Sequence, residues 1–295
     1  MTHPAQDVVR GWLKEDGTPP LLWVVMPVMG GEALTDAAIS DVLAQSIPTR
    51  LLIIAQGVHW AWRQHLQQVA EESDGRVLIW WHDPPLPSLS ASWNRALRFV
   101  WSTGAEEALV INNDTRIDEE TCGLLRSFQK DTEALFLSAV GVTGEQFAVW
   151  DRTMPADGGD RGGPDFSCFL ITKEGHEKYP FDENFVPAYG EDCSCHREYM
   201  LGGDGDRIFS INLPFHHVDH GSGTLKSMTP EARAKHEAKI GGSREYYKKK
   251  WGSGGINHET FTIPFDPTSA QEGVTNPELQ RLIQTGGGVL EVIRG

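Results

Sequence analysis

LVINNDTRID, residues 109–118, is the stretch that decides how this chain is read. An apolar run of Leu109, Val110 and Ile111 stops abruptly at Asn112, Asn113 and Asp114. A continuously apolar run of strand length is buried on both faces, as in a parallel sheet. A carboxylate at its end stands at the carboxyl edge of the sheet, where open α/β sheets bind their ligands. Two neutral amides and one acid suit a sugar hydroxyl, a ribose and a divalent cation. The same three residues also suit an Asx-turn that closes a strand, since Asn and Asp bond their own backbone. By itself the segment fits either use.

Upstream, LLWVVMPV at 21–28 is apolar throughout and reads as another doubly buried strand, broken at Gly30 and Gly31. Leu34, Ala38, Ile39, Val42 and Leu43 then recur at helical spacing over 32–46. RLLIIAQG at 50–57 reads as a strand, 60–72 as a helix, and VLIWWH at 77–82 as a strand. Pro84, Pro85 and Pro87 make a rigid loop before a helix near 90–102. Strand and helix thus alternate over the first 115 or so residues, the pattern of a parallel sheet with helices on both faces. The strand ends at 27–30, 56–57, 82–83 and 112–114 are expected to gather at one crevice.

Downstream the pattern changes. ALFLSAVGV at 134–142, FAVWD at 147–151, FSCFLITK at 166–173 and RIFSINLP at 207–214 are strand-like. DGGDRGGPD at 157–165 is a Gly-rich loop that a ligand would order. A helix is expected at about 191–201, and a charged helix at about 229–250 with a break at Gly241 and Gly242. A short helical piece at about 276–284 lies in a Gly- and Pro-rich tail.

A chain of 295 residues is long enough for one large α/β domain. Its net charge of -15 argues against a partner held by a general basic field, so nucleic acid is disfavoured. Cys122, Cys168, Cys193 and Cys195 are too few for a disulfide scaffold and lack zinc-ligand spacing, so free thiols are expected. The start MTHPAQDVVR lacks the regions of a secretory signal, and no apolar run approaches the roughly 20 residues that span a bilayer. These features fit a cytoplasmic protein with no transmembrane segment.

Taken in order, several motifs resemble the GT-A-fold inverting glycosyltransferases of the large family-two, rhamnosyltransferase-like group. They are VVMPVMGG at 24–31, SLSASWNRAL at 88–97, VINNDTRID, FDENFVPAYGEDCSCHREYMLGG at 181–203 and HHVDHGSGT at 216–224. YYKKKWG at 246–252, with Pro264 and Phe265, is similar to a tail seen in some members. The resemblance implies an α/β fold with a mostly parallel, Rossmann-like nucleotide-binding sheet, helices on both faces and a mixed acceptor-side half. It divides the chain into a leader 1–20, a nucleotide-sugar-binding half 21–118, an acceptor-binding and catalytic half 119–225, and a helical and extended tail 226–295. It implies a sugar, hexosyl or deoxyhexosyl, moved from a nucleotide-sugar to an acceptor hydroxyl on a glycan, a lipid-linked glycan or a protein. Two positions depart from the pattern: Asn112 opens the metal motif where Asp is usual, and Ala55-Gln56-Gly57-Val58 replaces an acidic loop.

The departing diphosphate needs charge neutralisation, which Mn2+ or Mg2+ supplies at an oxygen-rich site. Asp114 is the first candidate ligand. The resemblance points to His220 as the second, ahead of His217, and an imidazole favours manganese. Inversion needs a base on the face opposite the leaving group. Asp192 is the candidate, with Glu191 beside it; both also suit the first turn of a helix. The resemblance places Asn94 near the nucleotide or diphosphate, and Asn112 and Asn113 at ribose or sugar. It puts the backbone of Pro27 and Val28 beside the base, with Gln56 a further base contact. Phe166, Ser167, Tyr189 and Gly190 are expected to line the donor- and acceptor-sugar pockets. Trp23, Trp80, Trp81 and Trp101 are expected in the core, and Trp150 and Trp251 on the acceptor side. The basic run 244–250 reads as a solvated helix face or a phosphate contact. Two competing functions are a nucleotidyltransferase, disfavoured because Met29-Gly30-Gly31-Glu32 has no Lys or Arg, and a catalytically degenerate carbohydrate-binding module.

Overall fold

Strand β1 (Leu22–Val28) is buried along its whole length, and its side chains alternate between two separate cores. Val24, Met26 and Val28 join Ala38, Ile39 and Val42 of helix α1 (Glu32–Leu43) on one face. Trp23 and Val25 join Trp93, Ala96, Leu97 and Val100 of α3 (Leu89–Ser102) on the other. A strand covered on both faces has no polar position to spare, which is why LWVVMPV contains none. The computed structural model describes residues 22–150, 165–218, 225–226 and 228–251. The expected leader 1–20, the Gly-rich loop through 164, His220 and the tail helix near 276–284 lie outside the described residues.

β1, β2 (Thr49–Gln56), β3 (Val77–His82) and β4 (Glu107–Ile111) run parallel in the order β3-β2-β1-β4. α1, α2 (Trp60–Glu72) and α3 connect them. Their carboxyl ends therefore share one rim, as the alternation of elements predicts. The second half adds β5 (Thr115–Arg116), α4 (Thr121–Thr132), β6 (Phe136–Val142), α5 (Gly144–Ala148), β7 (Cys168–Thr172) and α6 (Lys173–Lys178). It continues with α7 (Glu191–Leu201), a 3-10 turn (Gly205–Arg207), β8 (Ile208–His217) and α8 (Pro230–Trp251). The eight-stranded sheet continues β4-β7-β6-β8-β5, with β7 antiparallel to both neighbours and β6 parallel to β8. The fold is mixed α/β with helices on both faces of one sheet. The four cysteines are free and buried.

Two expected elements differ. FAVWD is not a strand: Phe147 and Ala148 end helix α5, and Val149 and Trp150 lie outside any strand. Thr143 and Gln146 form a reciprocal capping box that starts the helix and outweighs the aromatic and β-branched character of the segment. The charged helix does not break at Gly241 and Gly242. Ser243, Tyr247, Lys250 and Trp251 recur at helical spacing and are all buried, which offsets a cost of about 1 kcal/mol per glycine.

Candidate functional site

The turn after β4 is held from three sides. The Asn112 N–H donates to the Ser167 carbonyl at 2.9 Å, and the Thr115 hydroxyl donates to the same carbonyl at 3.2 Å, so the start of β7 braces the turn. The Asn113 carboxamide donates to the Gly30 carbonyl at 2.6 Å and to Thr35 Oγ1 at 2.9 Å. That joins the end of β4 to the loop after β1. Asn112 is partly exposed beside it.

Asp114 is 4% exposed. Its carbonyl accepts from the Val218 N–H at 2.9 Å, and β5 pairs Thr115 with His217. This pairing carries the end of β8 to the turn and sets His217 Nε2 3.3 Å from Asp114 Oδ1. Among the described residues, His217, ranked second from the sequence, is thus a histidine placed beside Asp114. An imidazole nitrogen and a carboxylate oxygen facing each other form a donor set that suits Mn2+ better than Mg2+. Among the described residues no three Asp, Glu, His or Cys side chains converge. Among the described residues, Asp114 and His217 would need further ligands to hold a cation, of the kind that diphosphate oxygens supply.

The other half of the site is the start of α7. Tyr189 (φ 76) and Gly190 (φ 99) are both left-handed, a conformation easy for glycine and costly for tyrosine. The reversal places Glu191 and Asp192 in the first helical turn, where the macrodipole favours acids. Glu191 is 5% exposed, and its Oε2 has no hydrogen-bond partner among the described residues. Burial, then the charge of Asp192, pushes its pKa up to about 8, against the pull of the Glu191 and Tyr189 N–H groups. At neutral pH Glu191 therefore keeps its proton. Asp192 is partly exposed, and its Oδ1 accepts from the Cys193 N–H at 2.7 Å.

Tyr189 connects the two halves. Burial raises its pKa first, followed by the charges of Glu191, Asp114 and Glu237. Its phenol thus lies in the field of Asp114 and Glu191 together. The ring is 38% exposed and meets His236 of α8 edge-on at 6.1 Å.

Other expected site residues turn inward. Asn94 donates to the Phe181 carbonyl (2.7 Å) and to Glu183 Oε1 (2.9 Å). Its Oδ1 faces the Phe181 N–H and His176 Nε2, both at 3.0 Å. An asparagine has capacity for about four bonds, so none remains for a diphosphate. Gln56 is also buried and turned inward, donating to Ser92 Oγ and accepting from the Leu86 N–H, both at 2.9 Å; it anchors the Pro-rich loop. The Phe166 ring packs in the core against Phe136 and Trp93 rather than lining a pocket, and Ser167 contributes its backbone. Pro27 and Val28 end β1 at the rim, with the Val28 side chain in the core. Trp23 and Trp101 are core residues as expected, and Trp80 and Trp81 pack at its margins. Trp150 is partly buried against the second core. Trp251 is buried, not on an open acceptor face, because its indole N–H donates to Ser194 Oγ at 3.1 Å. Lys250 is neither solvated nor at a phosphate site: it is 3% exposed and paired with Asp182 and Glu198. The sequence signal that could have found it is Tyr247, Lys250 and Trp251 sharing one helical face.

No protein-family model matches the chain, and no curated protein matches it by sequence. Solved structures do match in shape. A mannosyltransferase from Pyrobaculum calidifontis, PcManGT, in complex with GDP-Man and Mn2+, superposes with a TM-score of 0.54 at 13% identity, over 95% of this chain and 79% of its own. The 1–349 piece of S. aureus TarS in complex with UDP gives 0.51 at 13% identity, over 90% of this chain and 86% of its own. GalNAc-T7 with UDP, GalNAc and Mn2+ gives 0.54 at 9% identity, over 93% of this chain and 57% of its own. At these identities the likeness is one of fold, and the fold is of the GT-A type.

Proposed function

We propose that the chain is an inverting, cation-assisted glycosyltransferase that moves a sugar from a nucleotide-sugar to an acceptor hydroxyl. The observation that carries this reading is Asp114 facing His217 at the carboxyl rim of the sheet. The structures of similar fold hold GDP-Man with Mn2+, UDP, and UDP with GalNAc and Mn2+, which supports the same class of donor here. The nucleotide lies over the ends of β1, β2 and β4, and residues 119–225 face the acceptor, a glycan, lipid-linked glycan or protein.

Asp114 and His217 would hold the cation, with His220 as a further candidate ligand. Bound there, Mn2+ or Mg2+ neutralises charge growing on the leaving diphosphate. Asn112 takes a sugar or ribose hydroxyl, while Asn113 fixes the turn. Asp192 accepts the proton of the acceptor hydroxyl as that oxygen bonds to the anomeric carbon. The bond from that carbon to the diphosphate oxygen breaks on the opposite face, and the nucleoside diphosphate leaves with the electron pair. Glu191, neutral beside Asp192, adds no second negative charge at the point of attack. Tyr189 and Gly190 shape the acceptor mouth.

Turnover of a panel of UDP-, GDP- and dTDP-sugars with Mn2+, read as nucleoside diphosphate release, tests this function. Asp192→Asn is expected to bind the donor normally and lose about 10²- to 10⁴-fold in kcat. Normal turnover by that variant removes Asp192 from the mechanism. Release of pyrophosphate in place of a nucleoside diphosphate replaces the reading with nucleotidyl transfer.

A further inference from the structure

The segment Tyr189 to Asp192 is flanked on both sides by stretches that α8 grips. Upstream, the Ser243 hydroxyl donates to the Val186 carbonyl at 3.1 Å, and the Tyr246 hydroxyl donates to Asp182 Oδ2 at 2.9 Å. Downstream, the Trp251 indole N–H donates to Ser194 Oγ at 3.1 Å. Lys250 joins the two. Its Nζ donates to Asp182 Oδ2 and to Glu198 Oε1, each at 2.7 Å, and all three side chains are buried. Burial opposes the ammonium, but Glu198 and Asp182 outweigh it and hold the Lys250 pKa above its ordinary value. Asp182 is held below its ordinary value in spite of its own burial, chiefly by Lys250. The Lys250 ammonium also lies 5.9 Å from the Phe185 ring and 5.4 Å from the Trp251 ring.

A buried ion cluster is a costly way to gain stability, because an apolar triad of equal volume does as well or better. What it supplies is direction. Two carboxylates from separate segments must meet one ammonium at hydrogen-bond distance, which fixes the relative position of those segments.

We propose that Lys250 is a positioning residue that locks the start of α7 from both sides, so that α8 belongs to the transfer machinery. The proposal rests on the reading of Asp192 as the base. A misplacement of about 1 Å in a reacting group costs about a hundredfold in rate, and the triad spans the reversal that aims Asp192.

The test compares the full-length chain with Lys250→Met and with a second variant, Lys250→Met/Asp182→Asn/Glu198→Gln. The second leaves no unpaired buried charge and keeps the test open if the first fails to fold. Three quantities are read: UDP and GDP binding with Mn2+, kcat and KM for the donor, and backbone hydrogen exchange over 189–195. Expected for the folded variant are nucleotide affinity within about threefold of wild type, faster exchange over 189–195, and kcat lower by about a hundredfold with the donor KM unchanged. A folded variant with unchanged exchange over 189–195 overturns the proposal, as does one with faster exchange but wild-type kcat. Equal losses in nucleotide affinity and kcat also overturn it, because they report general loosening. If the wild-type chain turns over no donor, the glycosyl-transfer reading has failed. The exchange data then still decide whether Lys250 sets the position of α7.

Discussion

Glu191→Gln isolates an acid that the fold keeps neutral. Gln has the same shape and can accept the same two N–H groups from Glu191 and Tyr189, but it carries no ionisable proton. The wild-type carboxyl rises from an ordinary 4.5 to about 8. Below pH 4.5 both folded and unfolded chains hold the proton, and the site contributes no pH dependence. Between pH 4.5 and 8 the unfolded chain releases it while the folded chain keeps it. The folded state then binds more protons, so stability falls as pH rises, and the fall ends as the folded site itself ionises near 8. At pH 7 the gap from 4.5 is 2.5 units, which at 1.36 kcal/mol per unit is a penalty on the order of 3 kcal/mol. The variant escapes it. Urea unfolding from pH 4.5 to 8.5 should show Glu191→Gln near wild type at the acid end and more stable by about 3 kcal/mol at pH 7. The pH profile of kcat adds a second readout. Wild type should show an ionisation near 8, where a second negative charge arrives beside Asp192, and the variant should lack it. A stability difference between the two proteins that does not change with pH would refute the reasoning.

Asn94→Leu should lower stability by about 3–5 kcal/mol in urea, because it strands the Phe181 N–H and carbonyl and His176 Nε2 together; a loss under about 1 kcal/mol would mean that these groups find other partners. Asp114→Asn should abolish the part of UDP or GDP stabilisation that depends on Mn2+. For wild type that stabilisation is about 2.7 kcal/mol at a ligand concentration a hundred times Kd, read as a rise in Tm. A full Mn2+-dependent rise in the variant would place the cation elsewhere.

The first four strands and their helices were legible because each is coded locally. Residues 60–72, 77–82 and 191–201 fall in the structure where the sequence puts them. Apolar runs of strand length end in Gly, Pro or Asn, and a doubly buried strand admits little else. FAVWD misled because its β-like side chains lie downstream of a capping box. The rim position of Asp114 was legible from the strand that stops on it. The approach of His217 to Asp114 was not. It depends on β8 running on through His217 to pair with the two-residue strand β5, and no local signal announces a pairing so short. The amides of Asn94 and Gln56 mislead in another way. Their motif positions suggest a ligand, while their partners, Phe181, Glu183, Leu86 and Ser92, are internal.

Helix α7 shows why local reading stops short of the chemistry. EDCSCHREYML carries three acids, Glu191, Asp192 and Glu198, in 11 residues. From sequence they are equivalent carboxylates on a polar helix. In the fold, Glu191 is neutralised by its own proton, and Glu198 is paired with Lys250, which lies 52 residues further along the chain and is shared with Asp182. Both are buried, and only Asp192 meets solvent. A base beside an anionic diphosphate works best when no other negative charge crowds it, and the two buried acids are disposed of in different ways to that end. The proton on Glu191 depends on desolvation and on Asp192, and the pairing of Lys250 with Glu198 depends on helix α8 docking. Neither condition exists until the chain has folded. The same logic ties the two variants together: Glu191→Gln should leave the position of Asp192 intact and alter its pH response. Lys250→Met should instead move Asp192 itself, and because burial and Asp192 set the Glu191 ionisation, that ionisation should shift with it.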